Sequence, residues 1–377
     1  MNDLQSIYKQ RRQKVYDYLK AHDIAAAVFE DSEDKRDVSI RYLTGHPSDA
    51  LLILAAEGRS ILLPWDENLA STKAFVDEVI PYNTYERTNT KAVQEMVKKL
   101  GGCGTSSVIA LPPSTPYPLY KEYEEKLSGW QLTCTKGSVH DAVSAFRAVK
   151  DEYEIACTRK ACAITDAMTE HIIAELTKGN IKTEIDVALY IERELRLQGC
   201  ERTSFDTLAA GPERSFAIHA FPGYTGGAWG SEGLSILDYG VCYEGYASDC
   251  TITVGRGKLS AGQEKQLALI QRAADECRAL YAPGKSLRAA HEKAQEIFAA
   301  EGRSMPHGLG HGTGLEIHEP PFVSLRSTPE KLFEAGNIVT LEPGLYDASL
   351  GGTRLENDVL ITPAGNEVLT HSKIFRL

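Results

Sequence analysis

Asp238 and Asp249 stand eleven residues apart, each at the edge of an apolar, strand-like run. Asp238 closes Leu234-Ser235-Ile236-Leu237, and Asp249 opens the next strand. A hairpin turning near Gly245 would bring both carboxylates to one place. Downstream come His307-Gly308-Leu309-Gly310-His311-Gly312-Thr313-Gly314 and then His318-Glu319-Pro320-Pro321. Glu342 follows the apolar run Ile338-Val339-Thr340-Leu341, and Glu356 lies in Arg354-Leu355-Glu356-Asn357-Asp358, ahead of Val359-Leu360-Ile361. A carboxylate at the end of a buried strand is costly unless it is paired or bound to a cation. Four such carboxylates with one imidazole carry a formal charge of −4, which two divalent cations balance. Oxygen donors with a single nitrogen suit Mn²⁺, Co²⁺, Fe²⁺ or Zn²⁺, and no thiolate selects a softer ion. Two such ions about 3.5–4 Å apart hold a bridging hydroxide and polarise a carbonyl, which is hydrolytic chemistry. Taken singly, each residue reads as a turn, a cap, a loop histidine or a surface charge. Their joint order points to a metal site.

The elements that must position these groups alternate along the chain. Residues 4–21 read as a charged helix, 24–29 as a short strand, and 49–56 with 59–63 as a strand pair around Glu57-Gly58. A helix over 91–100 ends at Gly101-Gly102, and a strand over 108–111 closes at Pro112-Pro113. After a linker near 135–138, helices are predicted over 142–149 and 152–177, the latter closed by Gly179. Thr183 with Asp186 forms a loose capping box opening a helix to Leu197. Strands at 207–210, 234–239 and 249–254, helices at 262–281 and 286–301, and a final Gly-rich β segment complete the chain. The change in texture divides it into 1–138 and 139–377.

The 377 residues carry 41 Lys and Arg against 52 Asp and Glu, a net charge of −11. That excess of acid argues against nucleic acid and against an anionic membrane surface as partners. No apolar run approaches the roughly 20 residues of a membrane span. The first residues carry charge from Asp3 to Arg12 and no apolar signal-peptide core. The eight cysteines are scattered and form no Cys-x-x-Cys pair, so zinc-ribbon and disulfide-scaffold readings are weak and a reducing cytoplasm is the expected home.

The order Asp238, Asp249, His311, Glu342, Glu356 resembles that of the pita-bread-fold metallopeptidases, the group of prolidase, aminopeptidase P and methionine aminopeptidase. The local stretches match as well. They are Asp238-Tyr239-Gly240 with Gly245-Tyr246-Ala247-Ser248-Asp249, Gly310-His311-Gly312-Thr313-Gly314 with His318-Glu319-Pro320-Pro321, Leu341-Glu342-Pro343-Gly344-Leu345-Tyr346, and Gly351-Gly352-Thr353-Arg354-Leu355-Glu356. The resemblance covers roughly residues 147–377 and implies an α+β architecture, with a C-terminal pita-bread catalytic domain preceded by a smaller, creatinase-like α/β domain. The 14-residue separation of Glu342 and Glu356 and the two-domain length resemble prolidase, an Xaa-Pro dipeptidase, or a short Xaa-Pro aminopeptidase.

The resemblance also implies roles. Asp238 would chelate one metal through both oxygens, Asp249 and Glu356 would bridge two, and His311 and Glu342 would complete the second. Glu342 would move the proton of the bridging hydroxide's parent water. His318 would hold the scissile carbonyl or its oxyanion, and His219 would bind the substrate or relay a proton. His307 would line the pocket, and Arg354 would brace the acidic cluster or the substrate carboxylate. Two divalent ions, Mn²⁺ first, a proline-containing dipeptide or short peptide as substrate, and a homodimer are the implied cofactors and partners. Thr251-Ile252-Thr253 departs from the family's usual Thr-Arg-Thr, and Asn357 replaces a frequent acid. The Gly-rich loop 223–233 matches no version tied to one substrate. A hydrolase or lyase of another small amide or acid, and more remotely an inactive binding module, are the alternatives on the same fold.

Overall fold

The computed structural model describes residues 4–99 and 108–377. It divides into two compact units, Met1–Phe146 and Arg147–Leu377. In the first, six strands form one mixed sheet in the order Glu78–Val79, Arg59–Pro64, Ala50–Ala55, Ile24–Asp31, Val108–Ala110, Gln131–Thr133. Ala50–Ala55 and Arg59–Pro64 pair antiparallel, as the strand-pair expectation has it, and Gly58 takes φ +102° in the turn. Residues 50–55 are buried without alternation, because both faces of this sheet are covered. The helix expected over 91–100 runs Asn89–Lys99, and its closing glycines lie outside the described residues, as does Cys103. The helix expected over 142–149 instead runs Val139–Phe146. Residues 147–150 leave helical geometry because their backbone is claimed elsewhere: Lys150 N–H donates to Gly336 O and Asn337 Nδ2 to Ala148 O.

In the second unit, helix ends follow side-chain chemistry. Asp151 with Glu154 and Thr183 with Asp186 form reciprocal capping boxes that open Glu152–Lys178 and Glu184–Leu197. Gly179 ends the first of these in the left-handed conformation. Those two helices cover one half of a large sheet, packing on Leu237, Tyr239, Ile252 and Val254. Ala261–Arg278 and Leu287–Ala299 cover the other half, packing on Val339, Leu341, Val359 and Ile361. Along each strand the residues between these apolar ones point to the opposite face, because side chains alternate. That opposite face carries Asp238, Thr251, Glu356 and Asp358. The two helix pairs backing one curved sheet are the expected α+β, pita-bread architecture.

Candidate metal centre

Strand register assembles the site. Asp238 on Gly233–Tyr239 lies opposite Thr251 on Cys250–Arg256, and Thr251 lies opposite Glu356 on Glu356–Thr362. Directly opposed residues share a face, so both carboxylates flank one threonine hydroxyl. Thr251 Oγ1 donates to Glu356 Oε2 at 2.6 Å. Asp249 precedes Thr251 by two and joins the same face. The chain between Asp238 and Asp249 turns at Glu244-Gly245, where both φ angles are positive, between the short antiparallel strands Val241–Tyr243 and Tyr246–Ala247. His311 lies in the strand Gly310–Gly312, and Glu342 directly follows Ile338–Leu341. Thr340 ties these two together, accepting from His311 N–H at 3.0 Å and donating to Glu342 Oε1 at 3.3 Å. A side chain at Gly310 would put its Cβ 1.9 Å from Thr340 O, so only glycine allows this approach.

The five residues meet. His311 Nε2 lies 3.6 Å from Asp249 Oδ2 and 3.5 Å from Glu342 Oε1. Asp249, His311 and Glu356 each offer a ligand atom, all within 4.8 Å of one another. Among the described residues, Asp238 Oδ1 and Asp249 Oδ1 are buried without a hydrogen-bond partner. Burial and the neighbouring Glu356 and Asp238 push the Asp249 carboxyl well above its ordinary value. Burial and Glu342 do the same to Glu356, and burial raises Glu342 against the pull of His307. Burial keeps His311 neutral, the form that binds metal. Orphaned carboxylate oxygens, mutually repelling acids and a neutral imidazole are what a divalent cation satisfies. The donor set therefore fits the implied metals.

These raised values have a consequence for the metal-free protein. An acid whose folded-state pKa is raised favours the folded state below the ordinary carboxylate value of ~4, and loses that contribution as pH rises through the raised value. The melting temperature of the metal-stripped protein is expected to fall progressively further below that of the Mn²⁺-loaded protein as pH rises from about 5 to 8. Added Mn²⁺ should restore the difference, because ligands that must shed protons bind metal better at higher pH. Calorimetry with and without chelator measures this, and a gap between the two that stays constant or narrows with rising pH would contradict the assignment.

Arg354 is buried and braces the acids. It forms an ion pair through Nη2 with Asp238 Oδ2, lies 4.0 Å from Glu356, and donates to Thr251 Oγ1 at 3.0 Å, Ile218 O at 3.1 Å and Tyr346 OH at 2.7 Å. Asp238 therefore presents one unpaired oxygen, Oδ1, while its other is held by this guanidinium. Tyr346 OH passes the contact on to His307 Nε2 at 3.0 Å, and His307 Nδ1 lies 2.7 Å from Gly308 O. This network suits a neutral His307 protonated on Nδ1, consistent with burial lowering its pKa. His318 is exposed and stacks edge-on to His311 with ring centroids 4.3 Å apart. Partial desolvation of its ring by the surrounding residues, then repulsion from His311 and His219, lowers its pKa. His219 is also exposed, and its neighbour Ile218 is the residue Arg354 holds.

Several supporting residues carry no sequence signal as single residues. Thr251 and Thr340 were legible only as strand members. Asp358 is fully buried and accepts from Asp249 N–H at 2.7 Å, Thr313 Oγ1 at 2.9 Å and Cys162 Sγ at 3.5 Å. Burial pushes its carboxyl up to about 6, with the Asp249 N–H opposing. Its position two residues past Glu356, on the same strand face, was the available clue. Ile252 of the departing Thr-Ile-Thr sequence turns into the helix-covered core, while Thr253 bonds Arg354 O. Asn357 accepts from Ser372 N–H, outside the acidic cluster. Glu319, beside His318, is locked between Arg147 and Lys150, whose Nζ lies 2.7 Å away.

Comparisons with known proteins give the family of the chain. The model of metallopeptidase family M24 matches residues 156–363, more than half of the chain, and that of the Creatinase/Prolidase N-terminal domain matches residues 11–149. The chain belongs to metallopeptidase family M24. It is similar to an Xaa-Pro dipeptidase of Pyrococcus horikoshii, 27% identical over 371 residues, which span 97% of this chain and 98% of that protein. An uncharacterised peptidase of Staphylococcus saprophyticus is 35% identical over 236 residues, 62% of this chain and 66% of that one. The solved Xaa-Pro dipeptidase from Bacillus anthracis superposes with a TM-score of 0.85 at 25% identity, covering 98% of this chain and 100% of that chain. No helix among the described residues is long and apolar enough to cross a membrane.

Proposed function

We propose that this chain is a dinuclear metal-dependent peptidase that hydrolyses the Xaa-Pro bond of dipeptides or short peptides. The observation that carries the reading is the convergence of Asp238, Asp249, His311, Glu342 and Glu356, with two buried carboxylate oxygens left without partners. Its substrate class rests on similarity to the Xaa-Pro dipeptidases of P. horikoshii and B. anthracis.

Those five residues would hold two divalent cations, Mn²⁺ first, which supply an activated water and an electrophile for the scissile carbonyl. Glu342 would take the water's proton on a carboxylate oxygen and return it to the departing proline nitrogen. A base held against a metal-bound water needs no unusual pKa, because the metals would already lower that of the water. His318 and His219 stand exposed on the open side and would hold the scissile carbonyl oxygen as it gains charge. Arg354, fully engaged with Asp238, Tyr346 and Ile218, would brace the acids rather than reach for a substrate carboxylate. His307 would line the pocket through its bond to Tyr346. A cytoplasmic homodimer is part of the same proposal.

Purified protein supplied with Mn²⁺ is expected to hydrolyse Xaa-Pro dipeptides and to leave non-proline dipeptides intact. Comparing kcat/KM for Xaa-Pro dipeptides and Xaa-Pro tripeptides separates dipeptidase from aminopeptidase. Activity on a non-peptide amide, with none on any Xaa-Pro peptide, would overturn the substrate assignment.

A further inference from the structure

One buried carboxylate outside the acidic cluster has an unusual set of partners. Glu184 is the first residue of the helix Glu184–Leu197 and is 1% exposed. Its Oε1 accepts from Gly211 N–H at 2.7 Å. Its Oε2 accepts from Thr225 N–H at 2.7 Å and from Thr225 Oγ1 at 2.6 Å, and it forms an ion pair with Arg214 Nη1. The other nitrogen of Arg214 donates to Pro222 O. Every one of these donors belongs to the segment 211–229, which follows the strand Leu208–Ala210 and runs into the Gly-rich loop 223–233. The backbone repeats the tether: Glu184 N–H donates to Gly227 O at 2.9 Å, Ile185 N–H to Thr225 O at 3.0 Å, and Trp229 N–H to Lys182 O at 2.9 Å.

This arrangement is more than a helix needs. The cap of this helix is already supplied by Thr183 and Asp186, so Glu184 is not consumed in capping. Burying a carboxylate is costly, and one that collects four donors from both ends of a single loop holds that loop in one conformation. Within the loop sits His219, five residues past Arg214 and three before Pro222. On its other side Arg354 grips Ile218 O and Ser215 Oγ accepts from Gly352 N–H at 3.0 Å. The imidazole is thus suspended between two arginine anchors, one reaching back to the acidic cluster and one to Glu184.

We propose that Glu184 is a positioning residue: through Arg214, Gly211 and Thr225 it clamps the loop 211–229 and sets the reach of His219 over the metal centre. The inference rests on the proposed function for the role of His219, and its test is built to fail separately. In hydrogen exchange on the Mn²⁺-loaded full chain, Glu184→Gln should speed exchange of the amides of 211–229 by tenfold or more, while the strand Cys250–Arg256 keeps its protection. That readout needs no substrate. On whatever substrate the wild type turns over, Glu184→Gln should lower kcat/KM by about 10- to 100-fold with metal content unchanged. Glu184→Asp should recover part of the loss. In a His219→Ala background the same change should cost less than about twofold, because a residue acting through His219 has nothing left to position. Should Glu184→Gln not fold, Thr225→Val removes one donor without touching charge, and the same cycle decides. Unchanged loop exchange, or full additivity with His219→Ala, overturns the proposal. If no Xaa-Pro peptide is cleaved while loop exchange still rises, the function reading fails and the clamp stands.

Discussion

Asp249→Asn is expected to lower kcat by at least about 10³-fold and to reduce bound metal, a barrier increase of about 4 kcal/mol. The substitution keeps the shape and the Asp249 N–H bond to Asp358, so the residue stays in place. It removes the charge that faces His311 Nε2 at 3.6 Å and the unpartnered oxygen beside it. Two opposite effects should appear in one variant. Activity and metal content fall, whereas the metal-free variant melts higher than metal-free wild type at neutral pH, because one member of a mutually repelling set has been neutralised. Elemental analysis, steady-state kinetics and calorimetry of the chelated proteins measure all three. A loss of activity under tenfold would show that Asp249 is not a metal ligand. Loss of activity without the gain in apo stability would assign the residue a structural role.

Glu319→Leu is expected to destabilise the Arg147–Leu377 unit by about 3–5 kcal/mol, because it leaves two buried cations without a counter-charge. Arg147 and Lys150 are almost entirely shielded, and both point at this carboxylate. Glu316 still pairs with Arg147, but it is half-exposed and cannot serve Lys150 as well. In a unit of this size the loss corresponds to a fall in melting temperature on the order of 10 °C. Burial alone would raise the Glu319 pKa, and the two cations outweigh it and hold the carboxyl below its ordinary value. Its stabilising contribution is therefore present above the ordinary carboxylate pKa and lost as pH falls through the lowered one. Replacing Lys150 with Met and Arg147 with Met in the Glu319→Leu background should recover much of the stability, since an apolar cluster of similar volume no longer buries an unpaired charge. A single-variant loss below about 1 kcal/mol, by denaturant unfolding monitored within this unit, would show that the triad is more solvated than its burial implies. Because Glu319 follows His318 directly, the variant should also lose activity through misplacement of that imidazole.

Local chemistry was readable because it is written in short stretches. The capping boxes at Asp151 and Thr183, the left-handed Gly179 and the turn at Glu57-Gly58 depend on residues within a few positions of one another. The acids at strand edges were readable for a related reason: a charge next to an apolar run must be compensated. The helix misplaced by three residues, Val139–Phe146, shows the limit. Its end is set by Gly336 and Asn337, which claim the backbone of residues 148–150 across almost two hundred positions.

Residue type and order by themselves pointed to divalent cations and hydrolysis, since donor chemistry belongs to the residue. Which charges meet was decided only by strand register. Asp238, Thr251 and Glu356 form one rung because three antiparallel strands align at those residues, and a slip of one position would turn every side chain to the other face. The same holds for the choice of Arg354 as the partner of Asp238, of Asp358 as the acceptor for Asp249, and of Arg147 and Lys150 as the counter-charges of Glu319. A buried charge must be satisfied, and its sequence position says so. The partner that satisfies it can lie anywhere in the chain, so only the folded arrangement names it.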